Sequence, residues 1–448
     1  MKTYNIIICS YLSHFWRLRH QGILIVSLLF LSFKSFPQKM ITLKECYEKA
    51  YAAAPIAVET KAYAEIWQLK DKNLSRGWLP TLDANGSFVY NSSVVDMSDV
   101  LGSLPVQGID GLIHPLPHEQ YKITLDISQP IFDGGAIKEA RALEKAERNI
   151  NMKQTEADLY KIRGQINSCY FNLLLLVRQK ELLQNYLELI NKRMAAMNSA
   201  LSSGVMLKSD MDVLLSEKIK LDQQLGENDI RKASLLKILS GLTGIDVNTS
   251  TKFAFPSDGK ELTGELSRPE MQIFDLRKEQ LDATLRVVQS KRMPKAFGFA
   301  TLGYGNPPGS NFFKDEFAPY YIVGAGLKWN LFDWNKVKSE KEVILLQKHI
   351  VDRRKRDLAD NLNRLLDAKS AEISNLESLL KTDAELIVLR KRITSAAESQ
   401  YENGTITVTD YLNELNSERQ AGINYEIHKI SLAMARVEYL NISGKEVE

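Results

Sequence analysis

Residues 127–140, ISQPIFDGGAIKEA, pass from an alternating pattern straight into a helical one with only FDGG between them, and residues 327–340, LKWNLFDWNKVKSE, make the same change. Phe132 and Phe332 stand 200 positions apart. Upstream of the first junction, Tyr121, Ile123, Leu125 and Ile127 alternate with Lys122, Thr124, Asp126 and Ser128; upstream of the second, Tyr321, Val323, Ala325, Leu327 and Trp329 alternate with Gly324, Gly326, Lys328 and Asn330. Period-two alternation is the signature of a strand with one apolar and one polar face. Downstream, residues 135–200 contain no proline, and their aliphatic residues recur at spacings of three and four, with charge pairs such as Glu144 and Arg148 on one helical face. A helix of roughly 65 residues is about 100 Å long. It cannot fold inside a compact domain and must lie against similar helices in a coiled coil or tube.

The 200-residue offset continues past the junctions. Gly204 corresponds to Gly404, Asp210 to Asp410 and Gly244 to Gly444. Upstream the offset changes, with Pro80 against Pro294, so the loop joining the paired strands is longer in the first half. That loop, about 96–118, contains His114 and His118, with Glu119 just beyond, and reads as an exposed polar loop. The organisation expected is a repeated strand–strand–long helix–hairpin–helix unit. The first copy is 39–266, with strands at about 78–90 and 120–131, a long helix at 135–200 and a returning helix at 209–240. The second is 267–448, with strands at about 296–305 and 320–331 and helices at 335–400 and 409–440. Thr42 to Glu45 is a capping box that opens a short helix, and a second short helix runs from about Ile56 to Arg76.

At the junctions, Pro130 can end strand pairing and Gly134 with Gly135 can form the bend, whereas the second copy bends with Asn330, Trp334 and Asn335 around Phe332 and Asp333. At the far ends, Gly204 and Gly404 permit the positive φ that stops a helix, and Ser209 and Thr409 are placed to cap the returning helices. Those helices cover about half the descending length. The stretch 241–262 and the chain ends can then form a belt midway.

The 44% hydrophobic and 25% charged content argues for folded protein, and a formal charge of +3 gives no bias toward nucleic acid. Arg17, Arg19 and His20 precede an apolar run at 22–33, the order of a signal peptide over 1–38, with cleavage expected between Ser35 and Lys39. No Cys follows that run closely; Cys46 and Cys169 read as single buried thiols. No residue set has the spacing of a catalytic, cofactor or metal site, so enzymatic activity is not expected. Beyond the leader no run of 18 apolar residues occurs, so membrane insertion requires a closed barrel. Four strands are too few to close one; three chains would supply twelve.

In the order TLKECYEKAYAAAP, GWLPTLDANGSF, QPIFDGGAIKEA, SGVMLKSD, PKAFGFATLGYG, LKWNLFDWNKVKSE and YENGTITVTDYLNELN, the chain resembles the TolC-like outer-membrane efflux proteins. The resemblance implies a membrane β-barrel closed by trimerisation and continued by a long α-helical barrel across the periplasm of a Gram-negative bacterium. It implies a passive homotrimeric duct, whose tips meet a periplasmic adaptor and, through it, an inner-membrane transporter. Carried over by motif, Gly204, Asp210, Gly404 and Asp410 are the tip residues, and Asp410 with Asn413 the candidates for the entrance constriction. The outer-membrane component of a type I secretion system is an alternative use of the same duct. A secreted coiled-coil scaffold is the reading from another class, and it leaves the strands and paired junctions without a role.

Overall fold

The computed structural model describes residues 40–94, 116–202, 208–256, 262, 264–311 and 314–446; the expected leader, His114 and Gly204 lie outside the described residues. Strand β1 (Met40–Ile41) leads into helices α1 (Leu43–Ala53) and α2 (Ala57–Ser75), and a 3₁₀ turn over Arg76–Trp78 precedes β2 (Thr81–Tyr90). Then come β3 (Glu119–Phe132), α3 (Ala136–Ser202), α4 (Lys208–Thr243) and β4 (Lys252–Phe253). Helix α5 (Pro269–Ser290), strands β5 (Lys295–Asn306) and β6 (Ala318–Lys328), and helices α6 (Lys336–Glu402) and α7 (Val408–Ser443) complete the chain.

Helices α3 and α6 each have 67 residues, and α4 and α7 each have 36, all at the 200-residue offset. At the helical rise the long pair spans about 100 Å and the short pair about 54 Å. The short pair ends midway, and there the main core forms. Buried Tyr170, Ile166 and Leu173 of α3 meet Cys46 and Tyr47 of α1, Leu239 of α4 and Val437 of α7. Parallel pairing of β1 with β4 closes this belt, and the Tyr170 hydroxyl lies 2.9 Å from the Ile41 carbonyl oxygen and 2.7 Å from that of Ala254. Cys46 and Cys169 are free and buried, and burial pushes the Cys46 thiol up to about 12. Thr42 caps α1 as expected, its hydroxyl accepting from the Glu45 amide.

The four long strands form one antiparallel sheet in the order β2-β3-β5-β6. Thr81 lies opposite Ser128 in the first hairpin and Lys295 opposite Lys328 in the second, so offsets of 214 and 200 carry one register onto the other. Leu82, Ile127, Ala300 and Val323 form one row across the sheet, and Ala84, Leu125, Leu302 and Tyr321 the next. The apolar face is therefore continuous over all four strands; Leu82, Leu125, Leu302, Tyr321 and Val323 on it are exposed, and Ile127 and Ala300 are half-buried. β2 and β6 are free edges.

Several boundaries differ from expectation. Trp78 belongs to the 3₁₀ turn and not to β2, and β6 stops at Lys328 because β5 begins opposite it at Lys295. Pro130 does not end β3: it pairs with Phe297, and the ladder continues through a register shift to Phe132 opposite Ala296. A bulge absorbs the missing donor. Glu144 and Arg148 do not pair; Glu144 meets Lys70 of α2 at 2.9 Å, and the Arg148 guanidinium lies 4.6 Å over the Trp67 ring.

Candidate functional site

Three regions follow from this frame: the sheet faces, the two strand-to-helix junctions and the helical tips. On the polar face, Asp126 accepts from Thr301 Oγ1 (2.6 Å), Asn85 Nδ2 (2.8 Å) and Thr124 Oγ1 (2.9 Å), which draws three strands into one hydrogen-bonded row. The same face is not uniformly polar. Phe299 lies over Gly324 and Phe297 over Gly326, where a Cβ would stand 2.5 Å from the ring in each case. Sequence reading placed these glycines on the face opposite the apolar one without assigning them a contact. Their signal was an aromatic residue directly opposite each on the neighbouring strand. Aromatic residues gather at both ends of the sheet, with Phe88, Tyr121, Tyr304 and Phe317 at one end and Trp78, Phe132, Trp329 and Phe332 at the other. Tyr121 to Phe132 spans about 36 Å along the strand, or about 25 Å once tilted by about 45°, the height of an outer-membrane apolar band.

The two junctions share one backbone solution. Gly134 and Gly135 have φ of 71° and 85°, and Trp334 and Asn335 have φ of 52° and 60°. Asp133, only 9% exposed, closes the start of α3 by accepting from the Gly135 amide (2.9 Å) and the Ile137 amide (2.6 Å). Asp333 accepts from the Val337 amide at 3.1 Å in the equivalent place. Each carboxylate satisfies orphan N–H groups at the positive end of a very long helix. Behind the bend, Gln129 Nε2 donates to the Trp78 carbonyl oxygen (2.7 Å) and Trp329 Nε1 donates to that of Arg292 (3.0 Å), one bond made by two residue types. Sequence reading found Asp333 and missed Asp133 and Gln129, although each sits at the 200-residue offset from a residue it had noted.

At the tips, Thr407 is the N-cap of α7, not Thr409. Its hydroxyl accepts from the Asp410 amide (3.1 Å), and the Asp410 carboxylate accepts from the Thr407 amide (3.1 Å) and hydroxyl (2.7 Å), which holds Asp410 below its ordinary 3.8. Asp410 is thus a capping residue that also lies exposed at the tip. The first half has Leu207, outside the described residues, where the second has Thr407, so the hydroxyl of that cap has no counterpart in its sequence. Burial chiefly, and the Asp210 carboxylate second, raise the Tyr401 hydroxyl pKa, and Tyr401 stacks on Tyr411 at 5.5 Å. Gly404, φ 71°, follows the end of α6, and its amide donates to the Tyr401 carbonyl oxygen. Asn413 is exposed one turn beyond Asp410, and its carbonyl accepts from Ser417 Oγ (2.9 Å).

Sequence reading also missed the contact that ties the two tips together. Arg193 of α3 meets Glu398, and its Nη1 lies 2.9 Å from Glu402 Oε1 of α6, with its guanidinium 5.5 Å over Tyr411 of α7. Lower down, Arg419 of α7 covers Tyr186 of α3 at 4.6 Å and approaches Glu217 of α4 at 3.7 Å. Leu183, Ile190, Leu214 and Leu412 fill the space between. In the loop region His118 Nδ1 lies 2.7 Å from the Asn91 carbonyl oxygen, and among the described residues no group of three His, Cys, Asp or Glu is placed to hold a metal ion.

Residues 73–214 match the sequence model of the Outer membrane efflux protein family. The resemblance drawn from the junction and tip motifs is borne out by that match and by the fold. The solved structure of CusC superimposes with a TM-score of 0.64 at 12% identity, covering 90% of this chain and 92% of that one. VceC, an outer membrane protein of Vibrio cholerae, gives 0.64 at 14% identity over 91% of this chain and 97% of that one. The CmeC outer membrane channel of Campylobacter jejuni gives 0.61 at 16% identity, over 93% and 91%. No curated protein matches at the sequence level.

Proposed function

We propose that the chain is one third of a passive efflux duct, with its sheet in the outer membrane and its helices extending into the periplasm. The observation that carries this reading is the sheet itself: an apolar face continuous over four strands and largely exposed, bounded by two unpaired edges and continued by 67-residue helices. In lipid each unpaired backbone group costs several kcal/mol, so the edges must close on other copies. Three copies give twelve strands, an even number within the range of outer-membrane barrels. A soluble scaffold would have no use for such a face. Exposed Val58 and Leu69 on α2, and Val343 and Leu346 on α6, supply further surface for copy-to-copy packing.

In this reading the two halves are copies of one unit, and the helices form a tube with the polar face of the sheet as its outlet. The tips are the entrance. Asp210, Asp410 and Asn413 stand there with Gly404 in the second turn, and Gly204 is its counterpart in sequence; this is a place for a periplasmic adaptor that joins an inner-membrane transporter. No step of chemistry is assigned to the chain; energy comes from the partner. Arg193 ties α3 to α6 and α7, so opening at the entrance means releasing those bonds.

Reconstitution in a planar bilayer tests the proposal. Stepwise ion-conducting insertions by purified oligomer support it, and a protein that never inserts would refute it.

A further inference from the structure

The first junction is covered by its own chain. A Cβ on Gly134 would stand 2.6 Å from the Met293 Cβ and 3.3 Å from the carbonyl oxygens of Ser290 and Pro294, because the turn between α5 and β5 lies directly over it. Under the two offsets, the counterpart of that turn, Ser290–Pro294, is Arg76–Pro80, and the counterpart of Gly134 is Trp334. Neither finds the other within the chain. Leu79, which corresponds to Met293, is 59% exposed, and Trp334 is 85% exposed, meeting Phe332 with ring centroids 4.8 Å apart.

These are two open halves of a contact that the chain makes once internally, and they lie at opposite ends of the sheet order. Joining them is a head-to-tail operation that can close a ring. The sheet edges agree with it. The β3–β5 pairing joins the two halves; carried by the same offsets onto β6 and the β2 of a second copy, it sets Lys328 opposite Asn85 and Leu327 opposite Gly86, which keeps the Leu82 and Ala84 rows on the same face as Leu327. Helix α5 packs against both α3 and α6, whereas α2 packs against α3 and keeps an exposed apolar side for another α6.

We infer that Trp334 of one copy seats against the Arg76–Pro80 turn of the next, and that this contact departs from the internal one because an indole occupies a place with no room for a methyl group. The turn of the neighbouring copy must stand off by about one ring thickness, roughly 3.5 Å. The backbone fits this assignment. A bulky residue at φ 52° is an outlier that persists only where its surroundings fix it, and in the chain alone the indole is mostly uncovered. At the matching internal site glycine makes the same turn without strain.

The inference rests on the trimeric reading, and its test separates the two. Leu79→Cys and Trp334→Cys are combined in the full chain, the purified oligomer is treated with a short bifunctional maleimide, and its mass is measured by native mass spectrometry. A covalent ladder ending at the trimer, absent from either single variant, is expected. A trimeric mass without a ladder overturns the Trp334 contact and leaves the duct standing; a mass that is not trimeric overturns both. Trp334→Gly provides a second readout, with the expected result a lower trimer dissociation temperature in detergent, since the lost indole outweighs the relieved strain. An unchanged temperature would count against the contact. So would strong quenching by headgroup-brominated lipid that disappears in Trp334→Phe, which would assign the ring to the membrane surface.

Discussion

Gly134→Ala and Gly135→Ala place the same methyl group at adjacent positions with the same backbone sign, and they should differ sharply. Both glycines are left-handed, at φ 71° and 85°, and an L-residue there costs about 1–2 kcal/mol. At Gly135 nothing lies within 4 Å of the new Cβ, so the cost ends there. At Gly134 the new Cβ meets the Met293 Cβ at 2.6 Å. That atom is fixed to the backbone, so the turn over Ser290–Pro294 must move, adding about 1–3 kcal/mol of overpacking. Thermal unfolding in detergent, followed by helical circular dichroism, should show Gly134→Ala several degrees below Gly135→Ala. The overlap can be isolated with Met293→Gly, which removes the opposing Cβ from a side chain that is 47% exposed. The double variant Gly134→Ala with Met293→Gly should recover part of the loss, a favourable coupling of about 1 kcal/mol or more. Equal midpoints for the two alanine variants, or no coupling to Met293, would refute the steric account of the first junction.

Arg193→Ala removes partly exposed ion pairs worth about 1 kcal/mol together, which shifts an open–closed balance by about fivefold toward open; higher mean conductance in single-channel records is the readout. Thr407→Ala should speed amide exchange in the first turn of α7 by about fivefold, as for other N-cap losses. Asp410 is held below its ordinary 3.8 by its bonds to Thr407, so this cap is fully present above that pH and is lost as the pH falls through the lowered value. First-turn exchange in the parent protein should therefore rise in acid, and Asp410→Asn should flatten that rise. On the sheet, Val323→Arg on the apolar face should cost about 2–4 kcal/mol of insertion, read as lost membrane yield, whereas Ser87→Arg on the opposite face should insert normally and change conductance.

The helices were legible because their pattern is long and uninterrupted: 135–200 and 335–400 were expected, and Ala136–Ser202 and Lys336–Glu402 are found. The strands were legible from alternation, and their faces followed. What sequence could not show was contact between distant segments. Arg193 reads as one more solvated helix charge until the fold sets it beside Glu402, and Glu144 reads as an intrahelical partner of Arg148 until Lys70 arrives from α2. Pro130 reads as a stop signal because the rule concerns the lost donor, and a bulge that accommodates the loss leaves no mark in local sequence. Asp410 was read for its charge at the tip; its bonds to Thr407 show a helix cap as well.

Electron cryomicroscopy of the detergent-purified protein bears most directly on the central claim that this chain is one third of a closed duct. The account predicts a threefold particle in which a twelve-stranded barrel runs without a seam into a helical tube about 100 Å long. A particle whose β2 and β6 edges remain unpaired, or whose helices diverge from the sheet without enclosing a lumen, would contradict it.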